Sequence, residues 1–211
     1  MTAASTQTQV YDTIEVEPLG GAIGAVIRGV DLGAPLTNAQ AAEVHAAFLA
    51  NSVVFFRAQD LDARERQRRP ARLFGEPVAI PFVKSLDGHP EIYCITNCVD
   101  DDGKPLGLAE AGRVWHTDLS YMAEPSRCSL LHALEVPQDE AGNPLGDTLF
   151  ANTRLAYSGL PPETKEALKG LRAVHSYRQV YDKIVSVSKP GRQGLKPLTD
   201  EQKAKVPPAS H

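Results

Sequence analysis

Trp115-His116-Thr117-Asp118-Leu119-Ser120-Tyr121 (WHTDLSY) is the most informative stretch of the 211-residue sequence. In a β-strand, residues i and i+2 point to the same face, so an extended stretch here places the His116 imidazole beside the Asp118 carboxylate. Such a pair can chelate one metal ion and supplies two ligands of a 2-His-1-carboxylate facial triad, which leaves positions open on Fe(II) for a cosubstrate and oxygen. A hydrogen-bonded surface His/Asp pair is the alternative, because a lone His-x-Asp is a short motif that chance also produces.

Upstream of WHTDLSY, the pattern predicts short strands and one capped helix. Alternation at 14–17 and a glycine-punctuated apolar run at 22–30 favour strands. Thr37 and Gln40 form a capping box, and apolar residues follow at helical spacing as far as residue 51. The segment SVVFFR at 52–57 is β-branched and aromatic, which is typical of a buried strand.

Between this strand and WHTDLSY the sequence predicts one more helix and one more strand. The helix starts at Asp62 and runs toward Phe74, with a kink or an early end at Pro70, because an interior proline removes a helical hydrogen bond. The strand covers 91–97, and a loop rich in Gly, Asp and Pro follows at 99–112.

Downstream of WHTDLSY the predicted elements are two strands and two helices. The strands are Arg127–Val136 and Asp147–Ala151, and the helices are Pro162–Lys169 and Thr199–Lys205. Short strands outnumber helices and do not alternate with them, which disfavours a doubly wound parallel sheet.

Composition excludes several classes of protein. A net charge of −4, from 22 basic and 26 acidic residues, argues against a nucleic-acid surface. No segment approaches the roughly 18 apolar residues of a membrane span, and the polar N-terminus predicts no signal peptide. Three cysteines without secreted-scaffold spacing favour a reduced, cytoplasmic compartment. We expect a loosely attached or disordered lead at 1–12 and a single domain over 13–211.

Four blocks of the sequence together resemble the taurine/2,4-D dioxygenase (TauD/TfdA) family. The blocks are SVVFFR at 52–57, FGEP at 74–77, WHTDLSY at 115–121 and GDTLF at 146–150 with Ala151-Asn152 behind it. The resemblance extends from about Ile14 to Tyr181. It implies a mixed α+β, mainly β fold: a double-stranded β-helix (jelly-roll, cupin-like) core with flanking helices, in which the last strands are expected to be missing.

The resemblance also implies an activity and its cofactors. Members of the family are Fe(II)- and 2-oxoglutarate-dependent dioxygenases, which use O2 to hydroxylate a small organic substrate with release of succinate and CO2. Carried over by position, His116 and Asp118 match the catalytic iron ligands, and Thr148 matches the hydroxyl that holds a 2-oxoglutarate carboxylate. The separation of Asp118 from Thr148 is a few residues longer than is usual, and we assign the excess to a turn-rich insertion at 138–144.

Two other residues of the family pattern have no match. The family carries a second iron-binding histidine far downstream of the threonine, followed by an arginine that pairs with the other 2-oxoglutarate carboxylate; neither His175 nor His211 fits this spacing. Two alternative hypotheses therefore remain. The chain is an inactive or truncated family member that binds a ligand or partner, or it is a cupin-like metal hydrolase or isomerase. An open sheet edge would favour homo-oligomers.

The remaining candidates concern the substrate. Asn97, Trp115 and Tyr121 are candidate cavity residues, although turn capping for the asparagine and core packing for the aromatics are the simpler interpretations. In the family's taurine enzymes, a His and a Tyr contact the sulfonate. An ungapped comparison with the family pattern places Ile80 and Val83 at these two positions. The sequence therefore predicts a substrate other than taurine. His132 and His175 are expected to be hydrogen-bonded core histidines.

Overall fold

The structure is a computed structural model that describes residues 10–61, 64–80, 83, 85–108, 112, 114–179, 181–182 and 197–211. The chain divides into two compact units. The first unit comprises 1–76 and 130–169, and the second comprises 77–129 and 170–211. Each unit contains helices and a small sheet, so the mixed α and β composition is confirmed. None of the helices in these described ranges is long and apolar enough to cross a membrane.

A three-stranded sheet forms the centre of the first unit. Its strands are β1 (Glu15–Pro18), β2 (Ala25–Arg28) and β3 (Val54–Phe56), in that order, with β1–β2 antiparallel and β2–β3 parallel. The three predicted strands are confirmed, although β1 is shifted by one residue and β2 and β3 are shorter than predicted. Ala25, Val26 and Ile27 are consecutive and all buried, as expected for a central strand covered on both faces.

Helix α1 (Asn38–Asn51) packs its buried residues Val44 and Ala47 into the same core. The predicted capping box is present, since the Thr37 hydroxyl accepts from the Gln40 amide and the Gln40 side chain accepts from the Thr37 amide. Glu43 on this helix accepts bonds from the backbone amides of Asp12 and Thr13. These bonds, the one from Asp12 first, lower the pKa of Glu43.

The predicted lead falls mostly outside the described residues, which begin at residue 10. The bond from Asp12 to the side chain of Glu43 attaches the last residue of that lead to α1. Helix α2 spans Arg64–Arg72 and contains Pro70, and the predicted start at Asp62 also falls outside the described residues. The helix ends two residues after the proline rather than at Phe74.

The rest of the first unit differs most from the prediction. Arg127–Val136 and Asp147–Ala151 form no strand, so both strand predictions are wrong. The segment 137–145 is a tight hairpin in which Asp139 accepts three bonds from Ala141 and Asn143, so the predicted turn is confirmed, while its being an insertion stays a prediction. Two further helices follow. They are the unpredicted α3 (Thr153–Ser158), capped by Asn152, and the predicted α4 (Pro162–Leu168).

The second unit contains a backbone hairpin that the sequence predicted as a strand and a loop. The Leu108 amide donates to the Cys94 carbonyl and the Leu106 amide donates to the Cys98 carbonyl, so residues 105–108 form the returning arm within the segment predicted as a loop. The Cβ of any residue other than glycine at Gly107 would lie 2.2 Å from the Cys94 carbonyl oxygen. The close approach of the two arms therefore depends on that glycine.

The described part of the second unit also contains a two-stranded antiparallel sheet and a short helix. The strands are β4 (Val174–His175) and β5 (Ala209–Ser210), and the helix is α5 (Asp200–Ala204). The helix predicted at Thr199–Lys205 is confirmed, and the structure adds a capping box between Thr199 and Gln202 at its start. Leu198 and Val206 flank the helix and are buried, which fixes the helix to the core of this unit.

Candidate metal site

The WHTDLSY segment is a turn, so the prediction that it is an extended strand is wrong. Residues 118–120 turn the chain, and Leu119 has a positive φ of 51°. The Met122 amide closes the turn on the Leu119 carbonyl. The two candidate ligands nevertheless meet, because His116 Nε2 lies 3.2 Å from Asp118 Oδ1. The turn thus brings together the side chains that strand alternation was expected to bring together.

A backbone carbonyl orients the imidazole of His116. Its Nδ1 lies 2.7 Å from the Val114 carbonyl oxygen, which can only accept, so Nδ1 carries the proton. The other ring nitrogen, Nε2, faces Asp118. Metal-binding histidines characteristically donate their other ring N–H in this way.

A hydroxyl orients the carboxylate of Asp118. Ser129 Oγ donates to Asp118 Oδ2 at 2.5 Å, which leaves Oδ1 as the oxygen that faces His116. Both side chains of the pair are about half exposed, at 51% for His116 and 50% for Asp118. A small depression lined by Thr117, Asp118 and 126–129 opens beside the carboxylate.

The turn is also held at Ser120. Its hydroxyl bonds His175 Nδ1 at 3.0 Å, and its carbonyl accepts from His211 Nε2 at 3.0 Å. The prediction that His175 is a hydrogen-bonded core histidine is confirmed in part, since the ring is half-buried and bonded. His132, in the first unit, is half-buried as well, but among the described residues its buried Nδ1 finds no hydrogen-bond partner, which contradicts the prediction for His132.

The two aromatic residues of WHTDLSY differ in their surroundings. Tyr121 packs against Tyr177 with 4.7 Å between ring centroids, and burial raises the pKa of Tyr121 to about 12. Its phenol is therefore neutral at ordinary pH. Trp115 is 70% exposed, so the structure gives it no core-packing role.

The other candidates differ in their exposure. Ile80 is half-buried and its amide donates to the Tyr93 hydroxyl, while Val83 is half-buried and Asn97 is exposed. Thr148, in the first unit, is exposed and outside any strand, so the prediction that it lies on a strand is wrong.

The sequence predicted that His116 and Asp118 lie together but missed the residues around them. Ser129 and the Val114 carbonyl each make one of the bonds just described, and Ser120 makes two. The pattern around Ser129 gave no signal for its contact with Asp118. Within the part of the chain that the structure describes, no group of three His, Cys, Asp or Glu residues is placed to hold a metal ion. The pair therefore fits two ligand positions of a metal and leaves the third to be supplied.

Comparison with known proteins gives a consistent family match. The model of the taurine catabolism dioxygenase TauD, TfdA family matches residues 15–211. The chain is 34% identical over 168 residues to an alpha-ketoglutarate-dependent sulfate ester dioxygenase of Pseudomonas putida, covering 80% of this chain and 51% of the relative. It is 32% identical to pentalenolactone F synthase of Streptomyces avermitilis, and the match covers 79% of this chain and 54% of that relative. The chain thus spans about half the length of these relatives.

Solved structures agree with this match. A taurine dioxygenase from Burkholderia xenovorans is 31% identical and superposes with a TM-score of 0.61, covering 79% of this chain and 54% of that one. AAD-2, solved in complex with Mn(II) and N-oxalylglycine, is 26% identical with a TM-score of 0.62, and the match covers 95% of this chain and 66% of that one.

Proposed function

The chain belongs to the taurine catabolism dioxygenase TauD/TfdA family, and from this premise we propose that it carries the Fe(II)- and 2-oxoglutarate-binding part of a dioxygenase that hydroxylates a small organic substrate. The match confirms the resemblance that WHTDLSY and the three other blocks predicted. Because the chain spans about half of its curated relatives, the activity of a whole enzyme is part of the proposal.

The observation that carries the proposal is the separation of the two donor atoms. Metal–nitrogen and metal–oxygen bonds of about 2.1 Å at a right angle place their donor atoms about 3 Å apart. His116 Nε2 and Asp118 Oδ1 are 3.2 Å apart, which matches this separation. The bonds to Val114 and Ser129 hold both groups in that orientation, so the pair is preorganised for cis ligands.

Each proposed residue has a separate task. His116 and Asp118 hold the iron, and Thr148 donates its hydroxyl to one carboxylate of 2-oxoglutarate. When bound, the iron supplies the oxidative decarboxylation of 2-oxoglutarate by O2 to succinate and CO2, coupled to hydroxylation of a substrate C–H bond. Substrate contacts are proposed for Asn97, Trp115, Tyr121, Ile80 and Val83.

The proposed scaffold is the double-stranded β-helix. Its support is the superposition on family members with TM-scores above 0.6, together with apolar residues that the described chain leaves exposed. Leu131, Leu134 and Leu149 are each at least 70% exposed in segments expected to be strands. Apolar strands of a β-helix need hydrogen-bonded neighbours on both sides, and further strands would provide them.

An anaerobic titration with Fe(II) and 2-oxoglutarate, followed at the visible charge-transfer band, tests the proposal. We expect a band that requires both additions and is lost in His116→Ala and Asp118→Asn. Asp101→Asn, in the exposed turn at 100–103, is the matched control and should keep the band. A band that survives Asp118→Asn would disprove the assignment. Metal binding without any response to 2-oxoglutarate would instead favour the metal hydrolase or isomerase.

A further inference from the structure

We infer that Ser129 is a positioning residue that makes Asp118 a one-oxygen ligand, an inference that rests on the proposed function. Ser129 Oγ lies 2.5 Å from Asp118 Oδ2. This distance falls at the short end of the range for a hydroxyl bonded to an ionised carboxylate, where hydrogen bonds are roughly twice as strong as neutral ones.

The two oxygens of Asp118 have different surroundings. Oδ1 faces His116 Nε2 at 3.2 Å, whereas Oδ2 is bonded to Ser129. A carboxylate without such a bond can rotate and bind a cation through both oxygens. With Oδ2 held by the hydroxyl, Oδ1 alone faces the position that His116 also faces. A further coordination position therefore stays open for the cosubstrate.

Solvent makes this restraint necessary. Asp118 is half exposed, so water competes for both oxygens and the side chain is not fixed by packing. Ser129 lies 11 residues along the chain from Asp118, so the bond also ties the end of the 126–129 segment to the WHTDLSY turn. Removing the hydroxyl should free the carboxylate without removing a ligand.

Ser126 provides a matched control. It lines the same depression as Asp118, but within the described residues its hydroxyl makes no bond to the carboxylate. Ser126→Ala therefore removes the same atom from the same segment and leaves the orientation of Asp118 unchanged. Ser129→Thr keeps the hydroxyl and should keep its function.

The experiment measures Co(II) binding to the 211-residue chain by calorimetry, with thermal unfolding of each apo variant as the check on folding. We expect Ser129→Ala to weaken Co(II) binding by about 10–100-fold, as is typical when the partner of a metal ligand is lost. Ser129→Thr and Ser126→Ala should bind as the unaltered chain does. The visible spectrum of bound Co(II) should change only in Ser129→Ala, because the carboxylate can then bind through both oxygens.

The outcomes separate the inference from the function on which it rests. If Ser129→Ala binds Co(II) as tightly as Ser126→Ala and with the same spectrum, Ser129 does not position Asp118, while the metal site stands. If Ser129→Ala unfolds, Ser129→Thr decides, and weak binding by a folded threonine variant would overturn the inference. If the unaltered chain does not bind Co(II), both the metal site and the inference are wrong.

Discussion

His175 Nδ1 lies 3.0 Å from the hydroxyl of Ser120, two residues beyond Asp118. The carbonyl of the same serine accepts from His211 Nε2, and the two imidazole rings meet edge to face with centroids 5.7 Å apart. Both histidines belong to the β4–β5 region, since His175 lies in β4 and His211 follows β5. The paired strands therefore hold the turn that presents the candidate metal ligands.

Replacing His175 by leucine should destabilise the second unit. The change removes the partner of a part-buried hydroxyl, and a neutral hydrogen bond of this kind contributes about 1 kcal/mol. Asparagine places an amide near the position of Nδ1 and should recover most of the loss. Urea unfolding measures the free energy, with Val174→Ala at an exposed neighbouring position as the control. Equal stability of His175→Leu and the control would show that the bond contributes nothing.

The hairpin at 137–145 should be sensitive to acid. Its Asp139 carboxylate accepts bonds from Asn143 and Ala141, and these bonds, the Asn143 side chain first, lower the pKa of Asp139. A lowered folded-state pKa means that the carboxylate stabilises the hairpin above its unfolded pKa and loses this effect as pH falls through the folded value.

The measurement is the pH titration of the Ala141 and Asn143 amide resonances. We expect both to shift together at a pH below the ordinary aspartate range. Asp139→Asn should abolish the transition, and Glu140→Gln, in the same turn, should leave it unchanged. A transition at the ordinary pKa of an aspartate would contradict the hydrogen-bond account.

Local interactions were the part of this fold that sequence could predict. The capping box at Thr37 was found because it requires residues only three positions apart. The strands expected at Arg127–Val136 and Asp147–Ala151 were wrong, because a strand requires a hydrogen-bonded neighbour that an apolar run alone does not specify.

In the candidate site, too, the sequence predicted the local feature and missed the contact between distant segments. His116 and Asp118 were paired correctly, but by a turn with Leu119 at positive φ rather than by strand alternation. Ser129 was missed because its bond to Asp118 depends on how two loop segments meet. Composition and periodicity do not indicate which loop segments lie side by side, so neither predicts this contact.

Gly107→Ala should damage the hairpin at 94–108 more than Gly103→Ala does. A Cβ at Gly107 would lie 2.2 Å from the backbone oxygen of Cys94, which cannot move without breaking the hairpin. Gly103 has a φ of 75° but open space around it, so alanine there costs only the left-handed conformation, about 1–2 kcal/mol. Hydrogen exchange of the Leu108 amide reports the opening of the hairpin. Equal protection in the two variants would refute the steric argument.

Taurine should bind poorly to the metal-loaded chain. The positions proposed to face a sulfonate hold Ile80 and Val83, which donate no side-chain hydrogen bond, so the desolvation of the anion, on the order of several kcal/mol, is not offset. The double variant Ile80→His, Val83→Tyr supplies two donors and should raise taurine affinity in calorimetry. Tight taurine binding by the unaltered chain would rule out this substrate assignment.

The 211-residue chain alone should bind Fe(II) weakly and show no substantial oxygenase activity. His116 and Asp118 supply two donors, and no group of three His, Cys, Asp or Glu residues in the described part of the chain is placed to hold a metal. A third ligand fixes the facial geometry, and without an arginine at the cosubstrate the second carboxylate of 2-oxoglutarate lacks a bidentate, charge-assisted partner. Thr148 offers one neutral hydroxyl and cannot replace it.

Succinate release and the anaerobic Fe(II) titration measure the two halves of this prediction. We expect incomplete saturation at stoichiometric iron and succinate close to the level found without protein. A tight complex with one iron per chain would contradict the prediction and reveal a third ligand. His175 and His211 would then be the first residues to replace, because both already lie against the turn that carries Asp118. Asparagine at His175 or glutamine at His211 should preserve the hydrogen bond to Ser120. If one of these replacements abolishes iron binding, the replaced histidine is the third ligand.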